Sequence, residues 1–307
     1  MDRVRRRIHL EEVLNTDWSG YALTIAVLDS GMAMHPDLTG KCLFFKDFIN
    51  SKLHPYDDFG HGTHVCGILC GTGEGSKGKY RGIVPASRLI VGKVLDSKGE
   101  GSTEVMLDAL EWIWKNYKKY NIRLINISVG IGNMENKTKK SMLKDALEKL
   151  WDAGIVVVCA AGNKGPMNNS ISDIGSSYKV ITVGCYDDME TNKNRKEHSC
   201  EEYSGRGPIN GSERKPNLVA PGTEIVSCSH KFVKTDRGYE HLYTANSGTS
   251  MATPVVTGCA ALLLQKEPYL SNEKVKERLQ YTAEDLGKPW NWQGWGMVHA
   301  KNMLELL

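Results

Sequence analysis

Short unbroken runs of apolar residues recur along this chain and alternate with stretches of helical period. The runs lie near 23–28, 89–94, 124–128, 155–160 and 180–184. A strand with one wet face alternates apolar and polar residues, whereas an unbroken run is what a strand covered on both faces requires. Between the runs, 62–71, 103–117 and 137–153 have the spacing of helices. This alternation predicts an α/β fold: a doubly wound, mostly parallel sheet with helices on both faces. Open sheets of this kind bind ligands beyond the carboxyl ends of their strands. The polar residues closing the runs are therefore the first functional candidates, Asp29 after 23–28 and Asn163 just beyond 155–160.

Two further segments add chemistry. Asn246-Ser247-Gly248-Thr249-Ser250-Met251-Ala252-Thr253-Pro254 sets a serine between a Gly-containing turn and an apolar run to about 265 that reads as a core helix. Backbone N–H groups and the positive helix end beside Ser250 suit an oxyanion. An ordinary N-cap serine is the competing reading of that segment alone. Asp58-Phe59-Gly60-His61-Gly62-Thr63-His64-Val65 places a histidine where a Gly-rich loop enters another apolar helix. Asp29, His61 and Ser250 together supply an acid, a base and a nucleophile in that chain order, one of the three orders known for such triads.

With those blocks in place, the chain resembles the subtilisin-like serine proteases (subtilases). The resemblance implies that Ser250 attacks the scissile carbonyl, His61 carries the proton and Asp29 holds the imidazole. It also implies that Asn163 donates to the oxyanion beside the Ser250 backbone N–H. An extended protein or peptide substrate is expected between Gly99-Glu100-Gly101 and Ser128-Val129-Gly130, adding backbone hydrogen bonds as an extra strand. Thr103 is expected in the pocket four residues before the cut, with Gly162 and Lys164 at the primary pocket. A lysine at position 164 disfavours Lys or Arg there, and Asp173 in the poorly aligning stretch 166–178 pulls the other way. The alternative class is a silent pseudoprotease of the same fold, against which the complete set of four residues argues.

Composition sets the remaining expectations. At 307 residues with 40% apolar and 24% charged residues, the chain reads as a single catalytic domain, with 1–17 as an N-terminal extension. Its Arg3, Arg5, Arg6 and Arg7 cluster reads as a solvated tail. Net charge is only +3, so neither nucleic acid nor a membrane is an expected partner. No apolar signal region follows the basic start, and no run spans a bilayer. Eight irregularly spaced cysteines, several inside apolar runs, read as free thiols of a cytoplasmic protein.

No cofactor is expected. The calcium site that the resemblance implies would use Asp37 and the loop 71–82. That loop carries Lys77, Lys79 and Arg81 against one acid, Glu74, which does not suit a cation needing six to eight oxygens. A weaker site elsewhere stays open. The stretch 73–79 imitates a phosphate loop but has Tyr80 where a hydroxyl must reach magnesium, and it follows a helix. A zinc site on His61, His64, Cys66 and Cys70 fails because four side chains of one short helix cannot face one ion.

Overall fold

The computed structural model describes residues 1–13, 19–130, 137–187, 199–208, 213–236 and 238–306. Seven parallel strands form its sheet: β1 (Thr24–Asp29), β2 (Cys42–Asp47), β3 (Arg88–Lys93), β4 (Ile122–Ile127), β5 (Val156–Ala160), β6 (Ile181–Tyr186) and β7 (Leu218–Pro221). Their order is β2-β3-β1-β4-β5-β6-β7. From β1 the chain runs out to one edge through β2 and β3, then crosses to build the other half from β4. The reversal lies beside β1, which puts the end of β1 at the switch point where such sheets bind ligands. Every residue of β1 and β5 is buried, as strands covered on both faces must be.

The helices are α1 (Asp2–Arg7), α2 (His61–Cys70), α3 (Thr103–Asn116), α4 (Lys137–Asp152), α5 (Cys200–Tyr203), α6 (Thr249–Lys266) and α7 (Asn272–Tyr281), with two short ones after α7. Helix α6 is apolar nearly all round and is buried from Thr249 to Leu264 except at Ser250. It packs on β4 to β7 and on α2, while α3 and α4 pack together. Pro254 is the sixth residue of α6, beyond the first turn, so it leaves the Ser250 carbonyl without its intrahelical N–H partner.

Two expectations fail. The arginine cluster is no solvated tail: α1 lies on the core, with Met1, Val4, Ile8, Leu10 and Val13 buried in the main apolar cluster. Arg5 donates to Arg81 O (2.8 Å) and Gly78 O (3.5 Å) and pairs with Glu11, and Arg7 forms a two-pronged pair with Glu284. The apolar spacing 1, 4, 8 was there to read beneath the charges. Residues 14–17 of the expected extension lie outside the described residues. The second failure concerns cysteine: Cys185 and Cys200 are paired, with Cα atoms 5.5 Å apart. Residues in β6 and at the start of α5 meet only in the fold, so sequence spacing could not reveal it. The other six are free thiols. Burial pushes those of Cys70, Cys159 and Cys259 up to about 12, which makes them inert.

Candidate active site

Asp29 is the last residue of β1 and is fully buried. Its Oδ1 accepts from Ser30 N–H (2.8 Å) and pairs with His61 Nδ1 (2.7 Å). Its Oδ2 is buried without a partner. His61 opens α2 with 21% of its side chain exposed. Burial works to lower its pKa, but the adjacent Asp29 carboxylate and their hydrogen bond win, and the imidazole sits above its ordinary value.

The loop that presents His61 is organised by Asp57, a residue the sequence did not single out. Asp57 Oδ1 accepts from Ser30 Oγ–H (2.8 Å), Gly60 N–H (2.7 Å) and Phe59 N–H (3.2 Å). Its Oδ2 accepts from Thr63 N–H (2.8 Å) and Thr63 Oγ–H (2.6 Å). Ser30 Oγ in turn accepts from Gly62 N–H at 2.8 Å, so both neighbours of His61 are tied to one buried carboxylate. Gly60, at φ 102°, approaches the His230 ring so closely that an added Cβ would collide with it.

Ser250 is the second residue of α6. One turn beyond His61, His64 Nε2 donates to Ile225 O (2.9 Å), and Ile225 pairs in register with Asn246, four residues before Ser250. Burial lowers the His64 pKa to about 3, so this histidine is neutral and structural. These contacts tie the start of α2 to the start of α6. On the other side, Asn163 Oδ1 accepts from Thr249 N–H (3.1 Å) and Thr249 Oγ–H (3.0 Å). A backbone N–H can only donate, which fixes Oδ1 on Thr249 and leaves Nδ2 as the outward donor. A Cβ built on Gly248 would lie 3.3 Å from Asn163 Nδ2 and 3.7 Å from Ser250 N. The two nitrogens thus lie beside one small space, and Ser250 N–H, in the first turn, has no intrahelical acceptor. Gly248 at φ 154° and ψ 165° occupies backbone space essentially reserved for glycine.

A cleft of about 580 Å³ opens from Ser250 and Asn163. Of the residues expected at the substrate, Val129, Gly130, Gly162 and Lys164 line it. Gly99, Glu100, Gly101, Thr103 and Ser128 do not. Gly99 lies against Phe59, whose ring centroid is 6.4 Å from that of His61, which sets this segment near the histidine. Thr103 begins α3 and is buried, as is Ser128. Lys140 and Asp173 also line the cleft and form an ion pair at 2.9 Å. Lys140 was missed because it belongs to α4, far in sequence from every motif.

Asp37 is fully buried. It accepts from Tyr243 O–H (2.7 Å), Gly75 N–H (3.0 Å) and Thr72 Oγ–H (3.4 Å). His35, Asp37 and Cys228 have potential ligand atoms within 4.8 Å of one another. Yet His35 Nδ1 accepts from Asp37 N–H (3.0 Å) and its Nε2 donates to Leu242 O (2.8 Å), so both ring nitrogens are engaged. Among the described residues, no helix is long and apolar enough to cross a membrane.

Known proteins share both the sequence and the fold. Residues 20–296 match the family model "Subtilase family". The chain is 38% identical to serine protease AprX of Bacillus subtilis (strain 168), over 98% of this chain and 71% of that protein. It is 34% identical to a subtilisin of Bacillus pumilus, over 92% of this chain and 91% of that protein. Among solved structures, Sphericase superposes with a TM-score of 0.74 at 26% identity, covering 94% of this chain and 96% of its own. A psychrophilic protease, S41, gives 0.74 at 28% identity, covering 91% and 92%. The chain belongs to the subtilase family and is a subtilisin-like serine endopeptidase.

Proposed function

We propose that the chain cuts internal peptide bonds through an acyl-enzyme on Ser250, with Asp29, His61 and Asn163 as its partners. The observation that carries this reading is the buried 2.7 Å contact between His61 Nδ1 and Asp29 Oδ1. With Nδ1–H committed to Asp29, Nε2 is left as the base. His61 takes the Ser250 hydroxyl proton as Oγ attacks, and the Asp29 carboxylate stabilises the imidazolium that forms. The negative charge that develops on the carbonyl oxygen is met by Asn163 Nδ2–H and Ser250 N–H. His61 then protonates the departing amine, and water repeats the cycle on the ester.

The substrate is read as an extended strand between Gly99-Glu100-Gly101 and Ser128-Val129-Gly130. Among the described residues, nothing lies within 4 Å of a Cβ built on Gly130, which leaves that edge room for a second backbone. Thr103 is read as the wall four residues before the cut. We read the chain as one catalytic domain acting without a cofactor, nucleic acid or membrane. Asp37 already spends its oxygens on Tyr243, Gly75 and Thr72, and the Arg5 guanidinium occupies the Gly78 and Arg81 carbonyls, so this loop does not fit calcium. We read the location as cytoplasmic on the six free thiols, with the Cys185–Cys200 pair arguing the other way. Peptide-library cleavage by wild type and Ser250→Ala tests the function. Cleavage by the wild type alone supports it, and a folded wild type that cleaves nothing moves the chain to the pseudoprotease class.

A further inference from the structure

On the peptidase reading above, the side chain on the acyl side of the cut enters the cleft that starts at Ser250 and Asn163, and the cleft's charge bears on which side chain it takes. Asp173 precedes a 3-10 turn (Ile174–Ser176) at the usual capping position, yet its side chain makes no cap bond. Its backbone carbonyl accepts from Ser176 Oγ–H instead, and the carboxylate is paired across the cleft wall with Lys140 at 2.9 Å. Lys140 stands in the first turn of α4 with Lys137 and Lys139 and no acid. Positive charges at a helix N-terminus oppose the helix dipole. Lys140 is thus disfavoured by its own helix, and its ammonium gains from Asp173. The wall beneath the pair is firm: Ser172 N–H donates to Ala161 O (2.7 Å) and Ser172 Oγ–H to Ala160 O (2.7 Å), fixing 172–173 to the end of β5.

We propose that Lys140 is a specificity-determining residue, which neutralises Asp173 so that the primary pocket takes apolar and acidic side chains and discriminates against Lys and Arg. A P1 guanidinium or ammonium would have to displace Lys140 from Asp173 to find a counter-charge. The proposal deepens the peptidase reading above and rests on it, but it needs nothing from Lys164. The two side chains are 42% and 36% exposed, so the pair is partly screened and its effect on selectivity is moderate.

The test uses peptides identical except for Arg, Leu or Glu at P1, with active enzyme counted by a fluorophosphonate. The wild type is expected to prefer Leu and Glu to Arg. Lys140→Met should raise the Arg/Leu ratio of kcat/KM by roughly two- to fivefold, the upper part of the range of a partly exposed charge pair. Lys140→Met with Asp173→Asn should return that ratio to the wild-type value, while Asp173→Asn alone should favour Glu. An Arg/Leu ratio unmoved by Lys140→Met, in enzyme that titrates fully, overturns the proposal and leaves the peptidase reading intact. A wild type that neither cleaves nor takes the label overturns both.

Discussion

Replacing Asp57 by asparagine tests whether the histidine loop is held as described. The change keeps shape and removes one acceptor oxygen. With the amide oxygen kept toward Ser30, Phe59 and Gly60, the new NH₂ faces Thr63 N–H, a donor that now meets a donor, while the Thr63 hydroxyl can turn to accept from it. The flipped amide is worse, because the Phe59 and Gly60 N–H groups then both lose their acceptor. A buried donor left unpaired costs about 1–3 kcal/mol, which is the loss expected from Thr63 N–H. Gly60 and Gly62, on either side of His61, hang on the same network. A shift of about 1 Å in a reacting group can cost roughly 10²-fold in rate. Burial raises the Asp57 pKa, but bonds from Thr63, Gly60 and Ser30 outweigh it and hold the carboxyl below the ordinary range. Its contribution is therefore present above the unfolded carboxylate pKa and is lost as pH falls through the folded one. Urea unfolding in a Ser250→Ala background, which prevents self-digestion, should show the loss of stability at neutral pH and its disappearance in acid. Steady-state kinetics with intact Ser250 should show about a 10²-fold lower kcat/KM. An Asp57→Asn protein within about 0.5 kcal/mol of its parent, the range of an ordinary surface change, and fully active would refute this reasoning.

Further outcomes follow from the same contacts. Asn163→Leu should lower kcat by about 10²–10³ with little change in KM, a magnitude carried over from an oxyanion donor in a subtilisin rather than worked from this structure. Because the His61 pKa is raised, the acid limb of kcat/KM against pH should lie above the ordinary histidine value, and Asp29→Asn should move it down. The stability from that pair is present below the unfolded histidine pKa and is lost as pH rises through the folded one, which pH-dependent unfolding would register. Arg5→Met removes the cation from the Gly78 and Arg81 carbonyls and should cost about 1.5–3 kcal/mol, seen as a lower Tm. Chelation by EDTA should leave Tm and activity unchanged, and a fall in Tm would show that the chain holds a stabilising metal.

The site was legible in the sequence wherever one residue carries the signal. Asp29 and Asn163 follow apolar runs, and His61 and Ser250 stand where turns enter apolar helices. What escaped depends on pairs distant in sequence or on mixed patterns. Strand β2 lies at the sheet edge with mixed burial, so it shows no unbroken run, and β7 is only four residues long. In the N-terminal segment the arginines masked an apolar stripe. Asp57, Lys140 and the Cys185–Cys200 pair gain their meaning only from what the fold sets against them.

The central claim is that Ser250 is a nucleophile made reactive by His61. Treating the folded protein with a fluorophosphonate and mapping the adduct by mass spectrometry tests it most directly. The account predicts a single adduct on Ser250, abolished in Ser250→Ala and strongly slowed in His61→Ala. An adduct on another residue, or labelling of Ser250 at the same rate without His61, would contradict it.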